Sequence, residues 1–193
     1  MERDEGTYVE AQLLIMERNG YPEETYYTFS YTPIPGDDGG TAGMICANTD
    51  DTDRIISERQ LRTLTQLAKH LTDCHANEEI IHNTIQTLKE NPYDFPFALF
   101  RAIVNNKAVL MDSTELLESW DLVPKEIDLN EEHPVGIIIK KAIDTGEMQV
   151  FDEVTRQIGN MPKGSWEVSP EKAIVLPLYK SGFNDPFGFC PAP

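Results

Sequence analysis

Long apolar runs are missing from this chain. No stretch approaches the length a bilayer crossing needs, and Met1-Glu2-Arg3-Asp4-Glu5 is not the opening of a secretory signal, so a soluble, cytoplasmic protein is expected. Cysteine is scarce: Cys46, Cys74 and Cys190 make an odd number, with no CxxC spacing. That argues against a disulfide frame and for free thiols in a reducing compartment. Basic residues are few, 16 Lys plus Arg against 33 Asp plus Glu, for a formal charge of −17. Such a chain repels phosphate backbones and anionic lipid, so neither a nucleic-acid nor a membrane partner is expected. The histidines, His70, His75, His82 and His133, form no i, i+4 pair, no HExxH and no nucleophile-base arrangement. No metal, no cofactor and no catalytic residue is therefore expected.

What the chain does have is a continuous signal from Tyr21 to Leu71. A β-rich run, Tyr21 to Ile34, turns through Pro35-Gly36-Asp37-Asp38-Gly39-Gly40 and returns as Thr41 to Asn48, the pattern of a hairpin. Asp50-Asp51-Thr52 follows, with short side chains that accept hydrogen bonds at a helix start. From Arg54 to Leu71, Leu61, Leu64, Ala68 and Leu71 recur at spacings of three and four, one stripe of a helix. In an isolated chain that stripe would face water, so it predicts a homodimer.

This order of parts resembles the C-terminal half of a PAS sensory domain. The resemblance rests on Tyr27-Thr28-Phe29-Ser30-Tyr31-Thr32-Pro33-Ile34, then Gly43-Met44-Ile45, then the Asp-x-Thr element at residues 50–52. From about Arg59 onward the chain resembles a GAF domain of the kind that follows PAS domains in sensor histidine kinases. That resemblance rests on Leu61 to Ala68, on Asn91-Pro92-Tyr93-Asp94-Phe95-Pro96-Phe97-Ala98-Leu99, and on Ala173-Ile174-Val175-Leu176-Pro177-Leu178. It implies an α+β fold: an antiparallel PAS-like hairpin over residues 1–53, a signalling helix over 54–76, and a GAF-like antiparallel sheet flanked by helices over 77–193. Both parts would be incomplete, the first lacking its early elements and the second its last strand and helix. It also implies a non-catalytic segment that passes a signal to kinase modules of a parent chain.

Along the rest of the chain, residues 1–20 fit either an amphipathic helix or a strand. Asn77 reads as the cap of a second helix running to about Lys89. Phe97 to Val104 reads as a strand buried on both faces, Asn105-Asn106-Lys107 as a hairpin turn and Ala108 to Met111 as its partner. Ser119 to Glu132 reads as a loop. Pro134 and Gly146 bracket a helix, Pro first and Gly last. Met148 to Phe151 reads as a strand, Asp152 as the cap of a helical turn and Gly159 to Pro170 as a polar loop. Ala173 to Tyr179 reads as one strand, Asn184-Asp185 as a turn and Phe187 to Phe189 as the next strand.

Two motifs are set aside on position. Cys74-His75 is similar to the bilin-bearing pair of phytochrome GAF domains but lies between the first two helices. Phe151-Asp152-Glu153 and Asn106-Lys107 are similar to parts of the cyclic-nucleotide GAF set, at the wrong spacing. If a small molecule binds, the resemblance places it on one face of the sheet, walled by Ser119–Glu132 and Gly159–Pro170. Trp120 and Trp166 in those loops, with Phe97 and Leu99 on the sheet, are the ligand-contact candidates.

Overall fold

The computed structural model describes residues 5–115, 124–159, 161–179 and 186–189. Its contacts divide the chain into residues 1–61 and 62–193.

In the first unit, three strands form an antiparallel meander: β1 (Thr7–Met16), β2 (Glu23–Pro35) and β3 (Thr41–Asp50), in that order. β2 is rich in Tyr, Thr and Phe, the residues that suit a pleated, half-buried surface. Its hairpin with β3 is the one the sequence predicts, closed by Gly39 N–H to the Gly36 carbonyl at 3.1 Å and by Asp38 accepting from Gly40 N–H at 3.1 Å. Residues 1–20, open between helix and strand, contain strand β1. Its alternation is interrupted because the register shifts between Val9 and Gln12, where Ala11 has φ 50° and its N–H turns to the Thr28 hydroxyl at 3.0 Å. β3 runs into the helix α1 (Thr52–Leu71), which spans the boundary between the units.

In the second unit, α2 (Asn77–Lys89) precedes the hairpin β4 (Leu99–Val104) and β5 (Lys107–Ser113). Asn105 and Asn106 at its tip have φ 49° and 60°, the left-handed pair of a tight two-residue turn. β6 (Glu126–Asp128) lies within the stretch read as a loop and pairs with β5. A three-residue strand ringed by Pro, Lys and Asp carries too little periodicity to be seen. α3 (Pro134–Thr145) starts at Pro and ends at Gly146 with φ 68°, as expected. β7 (Gln149–Phe151) pairs with β8 (Ala173–Val175). The run read as a single strand breaks before Pro177. Its second part, β9 (Leu178–Tyr179), joins β10 (Pro186–Phe189) in the larger sheet, ordered β6-β5-β4-β10-β9. The turn expected at Asn184-Asp185 lies outside the described residues.

Two caps differ from expectation. Ala76, not Asn77, is the residue before α2, and the Glu79 carboxylate accepts from the N–H groups of His75 and Ala76 at 3.4 and 3.5 Å. Before α4 (Val154–Ile158) the N-cap position falls on Glu153, whose side chain makes no capping bond, while Asp152 faces Lys172 at 3.3 Å.

The β4 alternation explains how the sheet is covered. Phe97 and Leu99 join a core with Ala108, Ile127, Leu129, Val135, Ile139 and Ala142, the last three from α3. Ala98 and Ala102, of opposite parity, are also buried, as are Ile81 and Ile85 of α2, which packs against β4 and β5. The sheet is thus covered on both faces, as its doubly apolar strand requires. Each fully buried side chain such as Phe97 or Ile85 contributes roughly 1.5–3 kcal/mol.

Candidate functional site

The junction between β3 and α1 carries the densest polar network of the first unit. β2 places Glu24, Tyr26 and Thr28 at alternate positions, and each bonds to α1 or to the residue just before it. Tyr26 uses its backbone, donating to the Thr52 hydroxyl at 3.0 Å and accepting from Asp51 N–H at 2.8 Å. The Thr28 hydroxyl donates to Asp51 at 2.5 Å, and the same carboxylate accepts from Arg54 at 3.1 Å. Asp50 accepts from Thr52 N–H at 3.0 Å. The Asp-x-Thr element therefore does what its short side chains predict and also ties the first turn of α1 to the central strand.

Electrostatics follow from those bonds. Hydrogen bonds from Thr52, hydroxyl first and backbone second, hold the Asp50 carboxyl below its ordinary range. The Thr28 hydroxyl and then Arg54 do the same for Asp51.

Five residues beyond Arg54, Arg59 grips Glu24 with both terminal nitrogens. The longer bond is 2.9 Å, Glu24 is buried, and the Tyr26 hydroxyl donates to the same carboxylate at 2.7 Å. No sequence signal joins residues 35 positions apart, so this pair is visible only in the fold.

On α1 itself, Leu61 and Leu64 are 65% and 63% exposed. Ala68 is exposed and Leu71 half-buried. The inner side of the helix in the second unit is polar. Asn91 donates to the Thr63 hydroxyl at 3.0 Å, and His70 Nδ1 lies 3.0 Å from the Thr87 hydroxyl.

The ligand-contact candidates are distributed as follows. Phe97 and Leu99 are buried together in the α3-side core. Trp166 is half-buried, its Nε1–H donates to the Tyr93 carbonyl at 2.9 Å and its ring stands edge-on to Tyr93. Trp120 lies outside the described residues. The surface of α3 bears an open depression of about 340 Å³ lined by Leu129, Asn130, Ile137, Lys140, Lys141 and Asp144, among others. Cys74 donates its thiol to the His70 carbonyl at 3.1 Å and accepts from Asn83 at 3.1 Å. Among the described residues no group of three or more His, Cys, Asp or Glu side chains is placed to hold a metal ion. Among them, too, no helix is long and apolar enough to cross a membrane.

No protein-family model matches the chain, and no curated protein matches it. Among solved structures it is similar to fRMsr of Staphylococcus aureus in complex with substrate. Identity there is 17% over 69% of this chain and 78% of that one, with a TM-score of 0.50. It is also similar to the chromophore-binding domain of Stigmatella aurantiaca bacteriophytochrome, at 9% identity over 95% of this chain and 66% of that one, TM-score 0.44. At such identities the likeness concerns the fold alone, and the chain carries a mixed α/β fold of the GAF type.

Proposed function

We propose that this chain is a non-catalytic sensory segment in which a PAS-like sheet hands a signal through α1 to a GAF-type unit, as in sensor histidine kinases. It works as a homodimer whose seam is the α1 stripe, with kinase modules of a parent chain downstream. One observation carries the reading: a helix tied to the central strand of one sheet at its start presents Leu61 and Leu64, each more than 60% exposed, further along. Two such exposed leucines three apart on one helix are costly in water and suit a second copy of the same helix. The latch at Asp51 and Thr52 then converts a shift of β2 into a rotation or register change of that seam.

Light scattering on the wild type and on Leu64→Glu tests it. Wild type should run as a dimer, and the variant, which places a carboxylate in the seam, as a monomer. A dimer that survives the substitution ends the proposal.

A second reading treats the GAF-type unit as a small-molecule receptor and the dimer as its scaffold. It is favoured by the sheet face under α3, where the buried Arg101 shares a strand face with Leu99.

A further inference from the structure

Arg101 sits on β4 between Leu99 and Ile103, and all three share the strand face that carries the α3-side core. It is 1% exposed, the largest fully buried side chain among the described residues. Among the described residues its bonds are all to backbone carbonyls: Nη1 donates to Ala108 at 3.0 Å and Lys125 at 3.5 Å, and Nη2 to Pro124 at 2.8 Å. Nε is buried with no hydrogen-bond partner among the described residues. A guanidinium has five N–H donors, so three bonds leave Nε–H and one hydrogen of Nη2 over. Those two nitrogens form one edge of the planar group, the fork that a carboxylate fills with two parallel bonds.

Arginine is seldom buried without an anion, because neutral carbonyls only partly offset the loss of hydration of a full charge. Burial alone pushes the Arg101 pKa down to about 10. Its charge also reaches His133, whose pKa is held below the ordinary value first by burial and then by Arg101. Arg101 is thus a buried cation inside a chain whose formal charge is −17.

We propose that Arg101 is the anchor of a small-molecule site on the α3 face of the sheet, taking the carboxylate of an otherwise apolar ligand through its Nε–Nη2 edge. The apolar character follows from its flanking neighbours, Leu99 and Ile103. The inference rests on the receptor reading of the GAF-type unit and is independent of the dimer.

The test uses benzoate as probe and benzamide, its neutral counterpart, as control, on the whole chain at constant ionic strength. The ¹⁵Nε–H resonance of Arg101 in the wild type should move in a saturable way with benzoate and stay still with benzamide. Benzoate should raise the melting temperature, and Arg101→Met should weaken its apparent affinity at least about tenfold, the loss of one charge-assisted bidentate pair. An Nε–H resonance that ignores benzoate, or that answers both compounds equally, overturns the proposal and leaves Arg101 a brace for the start of β6. The wild-type resonance decides the matter even if the variant fails to fold. Dimerisation, read by scattering, is unaffected by either outcome.

Discussion

Gly164 has φ +59°, and a methyl group added there would lie 2.2 Å from the Pro92 carbonyl oxygen and 2.6 Å from Pro96 Cα. Both contacts are with backbone, which cannot swing aside. Gly164→Ala should therefore lose roughly 2–4 kcal/mol, combining the left-handed penalty with overpacking, and scanning calorimetry should show the drop. Gly39→Ala, with φ +82° but nothing within 4 Å of the added carbon, is the control and should cost only about 1 kcal/mol. A second residue-scale prediction concerns Glu24. Replacing it by Gln leaves the Arg59 guanidinium facing a neutral amide in a buried setting, which should destabilise the first unit by about 3–5 kcal/mol. Hydrogen exchange of the β2 amides reads this directly, and the joint change Glu24→Met with Arg59→Met should recover much of the loss. An unchanged exchange rate in Glu24→Gln would show that the pair adds nothing. Neither feature was legible in the sequence. A loop glycine states its need for space only once Pro92 and Pro96 are seen against it, and an ion pair linking a strand to a helix leaves no local pattern.

Elements were more legible than residues, and the failures have local causes. The β2–β3 hairpin, α2, α3 and the β4–β5 hairpin carry long periodic runs bounded by Gly, Asn or Pro, and they lie within a few residues of where the sequence predicts them. β1 was ambiguous because a bulge at Ala11 breaks its alternation. β6 escapes a reading of the sequence because a three-residue strand has no period, and β8 and β9 read as one strand because the apolar run from Ala173 to Tyr179 continues on both sides of Pro177, where the fold breaks it. Of the site, the stripe and the Asp-x-Thr cap are legible from spacing and side-chain length, while Arg101 lies in a strand whose apolar neighbours predict burial but say nothing of a cation among them. The helix start gives a pH prediction. Asp50 and Asp51 have carboxyls lowered from an ordinary 3.8, so their contribution is fully present above that value and is lost as pH falls through the folded-state values. The amides of Thr52 to Ile55 should lose exchange protection below about pH 4, and Asp50→Asn should blunt the change. Protection that persists unchanged to lower pH would contradict the capping role.

At the scale of the whole molecule, charge opposes assembly. Two copies carrying −17 each repel one another, so a dimer seam built on leucines must hold against that repulsion. Added salt shortens the Debye length from about 10 Å at 0.1 M to about 3 Å at 1 M, which should tighten the proposed dimer. Sedimentation at rising ionic strength should show the dissociation constant falling, and a constant that rises instead would mean that ion pairs, not apolar contact, hold the copies together. The same charge bears on β3. That strand is the outer member of its sheet, and from Thr41 to Asp50 its only charged residue is the last. Met44 and Ile45 are about half exposed on it. Nothing in its own side chains discourages a foreign strand from zipping onto the backbone of its outer edge. The safeguard against runaway fibre growth is then delocalised over the whole acidic surface, so conditions that neutralise that surface, acid or concentrated salt, are the ones in which this ribbon would begin to seed insoluble material.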